Sequence, residues 1–212
     1  MKKLTKILTI TAIFLFIATS AFSFQWISFQ NDKTDMMIQG TLGYGSFVVI
    51  PIEIMPAGVI FETKIPGVDR LSAGAGLGNL SVDLDLDGEA NDVSDNYITL
   101  SAYAKYIFLS ADQINDLIHF PVYIGAAAGI GYQIALSNNI SLSDTSFGGL
   151  KALAVGFVGY NMGWATATIY PGIIDNKFTV SGDFNFNLGD RMHLGLFWVP
   201  LIGLGASFTY AL

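Results

Sequence analysis

The chain reads as an all-β protein, a closed antiparallel transmembrane β-barrel of eight to ten strands. Three observations lead there. Segments near the C-terminus alternate apolar and polar residues with a period of two. The hydrophobic content is high, at 52%, yet no stretch after the first 23 residues is long enough to cross a bilayer as a helix. The chain has no cysteine, so burial and backbone pairing alone must hold it together. A chain this apolar without apolar helices is what alternation in lipid-facing strands produces.

Residues 1–23 have the layout of a removable export signal. Lys2, Lys3 and Lys6 are followed by the apolar run from Ile7 to Ala18, and Ala21-Phe22-Ser23 supplies small residues for cleavage. Loss of its three lysines takes the formal charge from −7 to −10. No basic stripe is present to neutralise phosphate, so nucleic acid is not an expected partner. A short segment, 24–35, carries Trp26 and Phe29 and leads into the barrel proper, 36–212.

Register is clearest when read backward from the C-terminus. In 202–212 the even positions Ile202, Leu204, Ala206, Phe208, Tyr210 and Leu212 oppose glycines, Ser207, Thr209 and Ala211. In 177–188, Phe178, Val180, Phe184, Phe186 and Leu188 form one face, and Lys177, Thr179, Ser181, Asp183, Asn185 and Asn187 the other. Segment 120–136 alternates for longest, with Phe120, Val122, Ile124, Ile130 and Ile134 on one side and Tyr123, Gly125, Gly129, Gly131 and Gln133 on the other. The same reading places strands at 191–198, 164–170, 149–160, 96–109, 71–86, 57–65 and 37–49, ten in all. Eight remain if 164–170 or 57–65 does not pair. In 71–86 the apolar phase changes near Asn79, from Ala73, Ala75 and Leu77 to Leu80, Val82, Leu84 and Leu86, which predicts a β-bulge.

With both termini periplasmic, the connections sort into tight turns on one side and longer loops on the other. The polar gaps 87–95 and 137–148 lie on the exterior, and 110–119, with Ser110 as a helix cap, lies opposite. Trp164, Tyr160, Phe186 and Tyr210 fall at one membrane interface, and Trp198, Tyr170 and Phe178 at the other.

The terminal run Gly205-Ala206-Ser207-Phe208-Thr209-Tyr210 resembles the C-terminal strand of small bacterial outer-membrane β-barrel proteins, with a glycine ahead of alternating aromatic or apolar residues. Here two further residues follow, Ala211-Leu212. The resemblance implies residence in the outer membrane, contact with its lipid, and delivery to the barrel-assembly machinery through that strand.

Chemistry-bearing residues are sparse. Asp83, Asp85 and Asp87 with Gly88 match the first half of a calcium loop, and Asn91, Asp92 and Asp95 could add oxygens. Ser94 stands where the motif needs a bidentate glutamate, so the run reads first as an acidic strand end and only secondarily as a calcium site. No other cofactor is expected. Only two histidines exist, too few for a His-rich metal site. A register centred on Gly189 sets Asn185 opposite His193, Asp183 one step further and Ser207 across the next hairpin. That arrangement sketches a Ser-His-Asp set, but a lumenal network is the simpler account, with Glu62, Lys64, Lys105, Lys151, Lys177 and Asp183 as members. His119, beside Pro121, reads as a turn residue.

The expected role is therefore non-enzymatic: a structural or surface-interaction protein acting through exterior loops. A narrow pore is the alternative, since glycine and alanine on the inner face leave room, and a membrane-embedded hydrolase comes third.

Overall fold

The computed structural model describes residues 35–47, 52–84, 93–110, 121–137, 149–174, 177–199 and 203–212. The export signal 1–23, nearly all of segment 24–35, the proposed helix after Ser110, His119, and both Asp85 and Asp87 lie outside the described residues. Within them the chain forms ten strands. These are β1 (Met36–Phe47), β2 (Ile52–Lys64), β3 (Leu71–Leu84), β4 (Val93–Leu109), β5 (Val122–Ala135), β6 (Gly149–Asn161), β7 (Ala165–Ile174), β8 (Lys177–Asn187), β9 (Met192–Val199) and β10 (Gly203–Ala211). Every strand pairs antiparallel with its neighbours in sequence, and β1 closes on β10, with Met37 opposite Ala211 and Tyr44 opposite Leu204. Closure leaves no sheet edge with unpaired amides, the requirement for backbone placed in hydrocarbon.

The alternation settles the faces. Asp183 and Asn185 of β8, Ser207 and Thr209 of β10 and Tyr123 and Gln133 of β5 are buried inward. Outside, Leu42, Val59, Leu77, Leu100, Ile130, Val158, Ile169, Leu196, Leu204 and Phe208 are all exposed, forming an apolar surface that continues from strand to strand. Exposed apolar area on this scale is not sustained in water. Both termini of the barrel lie at one end, called here the terminal end; the connection between β3 and β4 marks the opposite, loop end.

Prolines conceal the true length of two strands. The expected strands 57–65 and 164–170 stop beside Pro56 and Pro171, which lack an amide donor. Yet β2 begins at Ile52 and β7 runs to Ile174. The β1–β2 ladder breaks between Leu42↔Ala57 and Gly45↔Ile54, then resumes in the same register. The β6–β7 ladder is interrupted likewise between Val155↔Gly172 and Val158↔Ile169. Each proline thus removes local pairing without ending its strand. The loop-end connections 48–51 and 175–176 are consequently short; 85–92 and 136–148 are the long ones at that end, and 110–121 is a long one at the terminal end.

The bulge expected near Asn79 does not form. Pairing of β2 with β3 runs without a shift from Ile52↔Leu84 to Lys64↔Ser72. Leu80 and Val82 are therefore buried inward, while Asn79 faces out with Leu77. What changes along β3 is the surrounding medium. Toward the loop end the outward face becomes Asn79, Ser81 and Asp83, and the inward face gains Leu80 and Val82, which join Ile54 and Tyr97 as buried inward side chains. A wall that rises from lipid into water must invert its chemistry in this way, with no residue inserted. The one register shift among the described ladders is in β4, where the pairing with β5 shifts between Ile107 and Leu109.

Candidate functional site: the barrel lumen

Two polar assemblies occupy the inside. On β2, β3 and β4, Glu62 accepts from three sides. Lys105 Nζ lies 2.5 Å from its Oε1, Ser72 Oγ donates to Oε1 at 2.8 Å, and Tyr103 OH donates to Oε2 at 2.6 Å. Glu62, Ser72, Tyr103 and Lys105 are all buried. The alternation dictates this meeting: Glu62 and Ser72 flank Gly74 and Lys64 on the inward phases of β2 and β3, and Lys105 stands directly opposite Ser72. A buried carboxylate persists only when ion pairing and hydrogen bonds replace its water, and here both do.

The second assembly joins β5, β7 and β8. Tyr123 OH and Thr168 Oγ1 share a hydrogen bond at 2.6 Å, and Tyr170 OH donates to Asp183 Oδ2 at 2.7 Å. The ring of Phe157 lies between those of the two tyrosines, with centroids 6.4 Å and 6.2 Å away, and Ile107 completes the cluster. Tyr170 is thus a lumenal residue and not part of an interface girdle. Its expected partners Trp198 and Phe178 are exposed outward, and Trp164, expected at the other interface, packs with Phe184 and Phe186 outside the wall.

The inner glycines do not leave room. Tyr123 lies across Gly159, Phe157 across Gly125, Tyr103 across Gly74, and Phe197 across Gly205, so closely that a Cβ on any of these glycines would overlap the ring. In each case the ring and its glycine are directly opposed on neighbouring strands. Glycine supplies the socket, and the ring from the next strand fills it, as aromatic rings rescue glycines in twisted sheets. Between the polar assemblies and the apolar loop end sits a further buried layer of Ile60, Tyr103, Ala127, Leu153, Val155 and Ile174. Side chains pack the described interior at these levels, while at the terminal end a recess of about 420 Å³ reaches Glu62, Ser72 and Lys105.

Of the residues expected in a lumenal network, Glu62, Lys105 and Asp183 take part, and Lys151 is buried. Lys64 sits at the terminal rim, 3.7 Å from the exposed Asp35. Ser72, Tyr103, Tyr123, Thr168 and Tyr170 escape the sequence reading as partners; a tyrosine on the inward phase opposite a glycine is the signal that would have found Tyr103 and Tyr123.

The sketched Ser-His-Asp set does not assemble. The β8–β9 turn is longer by two than assumed, so His193 pairs with Asn187 and Thr209, and its Nδ1 lies 2.9 Å from Asn187 Oδ1. Asn185 and Ser207 instead face each other across Gly195. Of the acidic run, Asp83 is outward, directly opposite Glu53 on β2, whereas Asp95 is buried on the inner side beside Tyr97. The wall therefore separates Asp95 from Asp83.

Fold and apolar exterior together define a transmembrane β-barrel of ten strands, packed with side chains through its middle. No protein-family model matches the chain, and no curated protein does. Among solved structures it is similar to the outer membrane phospholipase of Salmonella typhi, a dimer with bound calcium. That likeness has 6% identity and a TM-score of 0.30, and covers 92% of this chain and 96% of the other. A likeness this distant bears on neither activity nor ligand.

Proposed function

We propose that the chain is an exported bacterial outer-membrane barrel with a sealed interior, and that it acts through its external surfaces as a structural or surface-interaction protein, without catalysis. The observation that carries this reading is the packed middle of the lumen, with rings seated on glycines and Glu62 of β2 tied to β3 and β4. Small barrels are filled by their own side chains, and this one removes the argument for a pore that its inner glycines had offered. The apolar exterior supports residence in lipid, and the C-terminal strand, which pairs with both β9 and β1, supports assembly through that strand.

Single-channel recording on the refolded protein in planar bilayers tests the reading. No stepwise conductance is expected from the native chain. Regular conductance steps, enlarged in Tyr103→Ala, would establish a solute path and overturn it.

A further inference from the structure

At the terminal end the packed interior gives way to the recess of about 420 Å³. Its floor is polar, with Glu62, Ser72 and Lys105, and Met37, Ile65 and Ile107 make its walls apolar. The β2–β3 turn forms the outer lip, where Pro66 and Val68 are exposed at the barrel mouth. This lip is fixed before anything binds. The Ile65 amide donates to Leu71 O at 2.9 Å, Arg70 holds a left-handed φ of 67°, and its guanidinium donates to Phe108 O at 3.2 Å. Rim charges of both signs, Asp35 and Asp69 against Lys64 and Arg70, favour neither a cation nor an anion in the mouth.

Asp35 belongs to this rim, and its carbonyl accepts the Lys64 amide at 2.8 Å. Whatever precedes Asp35 is therefore tethered at the mouth. That stretch has two halves. Residues 24–29 carry Phe24, Trp26, Ile27 and Phe29 and no charged side chain, whereas 30–34 read Gln-Asn-Asp-Lys-Thr, with turn-forming Asn31 and Asp32. Glu62 lies opposite Met37, so the floor is two residues along β1 from Asp35, about 7 Å. The polar half alone spans about 17 Å when extended, so a turn within it returns the apolar half to the recess. Large apolar side chains left in water forgo the free energy of burial. The tether presents them to the recess at an effective concentration on the order of millimolar.

We propose that segment 24–34 folds back and seats its apolar half in the terminal recess, with the Trp26 ring foremost, over the Glu62–Lys105 pair. Of the four large side chains, only Trp26 joins an apolar body to a hydrogen-bond donor, which suits apolar walls above a polar floor. The chain thus supplies its own occupant for the mouth, as rings on glycines do for the middle. The inference rests on the sealed interior proposed above and names what completes it.

The test uses the mature chain, from Phe24 onward, refolded into lipid vesicles. The chain has three tryptophans, and Trp164→Phe with Trp198→Phe, both outward, leaves Trp26 as the single emitter. Its emission should be blue-shifted and shielded both from acrylamide in the water and from brominated acyl chains in the bilayer. Val68→Glu, at the exposed turn tip, should shift the emission to the red and restore acrylamide quenching. A second readout needs no fluorescence. The chain has no cysteine, so Lys64→Cys gives a unique label at the rim. A water-soluble maleimide should react roughly tenfold faster once Trp26, Ile27 and Phe29 are all replaced by serine, as expected if the seat is otherwise filled about nine-tenths of the time. Strong quenching by brominated chains overturns the proposal, since the segment then lies in the bilayer. Free acrylamide access to Trp26 in the Val68 chain, or equal labelling with and without the three serines, overturns it as well. Conductance recordings separate this inference from the reading beneath it. The native and triple-serine chains should both be silent, because the packed middle blocks the path in each. Conductance steps from either chain would remove the packed lumen itself, whereas silence with equal labelling would remove the seat alone.

Discussion

Replacing Lys105 by methionine isolates the energetics of the interior in one step. The substitution keeps most of the side chain's length and apolar stem but deletes the ammonium 2.5 Å from Glu62 Oε1. Glu62 then keeps the hydroxyls of Ser72 and Tyr103 but loses this ammonium, in a site that is only 6% exposed. Removing one partner of a buried pair costs about 3–5 kcal/mol, because the survivor stays desolvated. The two remaining hydrogen bonds to a charged acceptor, each worth about 1.5–3 kcal/mol, place the loss toward the lower end of that range. Urea unfolding in lipid vesicles, followed by tryptophan fluorescence and by the heat-modifiable gel shift, should show a lower midpoint with an unchanged slope. Glu62→Gln alone should also destabilise, since Lys105 loses the carboxylate that pairs with its ammonium. The double variant Glu62→Gln/Lys105→Met should cost clearly less than the two single changes added together, with a coupling of about 2 kcal/mol. Additive losses, or a Lys105→Met loss below about 1 kcal/mol, would refute the view that these groups form a desolvated pair.

Two further outcomes follow from the packing. Gly159→Ala should destabilise the barrel by about 1–3 kcal/mol, and Tyr123→Ala in the same chain should recover part of the loss, because the new methyl occupies the place of the Tyr123 ring; equal losses with and without Tyr123, in the same unfolding assay, would contradict the socket. Gln39→Met should raise the unfolding midpoint by an amount equivalent to about 1–3 kcal/mol, since Gln39 is fully buried and neither Oε1 nor Nε2 has a hydrogen-bond partner; a lowered midpoint would show that the amide is satisfied.

Much of the wall is legible in the chain because a period of two is a local property. β5, β8 and β10 expose and bury the residues that their alternation assigns, and the count of ten stands because both short segments pair. β3 marks the limit. A change of facial chemistry at Asn79 has two causes, an inserted residue or a change of medium, and the sequence of one strand cannot separate them. Only its unbroken pairing with β2 does. Pro56 and Pro171 mislead for a related reason, since a missing donor interrupts a ladder without ending the extended chain. The interior is harder still. Glu62, Lys105 and Asp183 are visible as charges on an inward phase. Whether Gly159 is an empty space or the seat of Tyr123 depends on a register across strands, and the register of His193 failed by two residues because turn length is not written in alternation.

The line where β1 meets β10 differs from every other in the barrel. All other neighbours are joined by a turn, so losing their pairing still leaves the strands tethered; Met37 and Ala211 are held together by contact across nearly the whole described chain. Joining residues so far apart in sequence carries the largest entropic cost and comes late in folding. Along that line Gln39 faces Thr209, and neither side chain has a hydrogen-bond partner. The wall therefore has one line that no short stretch of chain spans, and its closure rests on the eight paired positions from Met37↔Ala211 to Tyr44↔Leu204 alone.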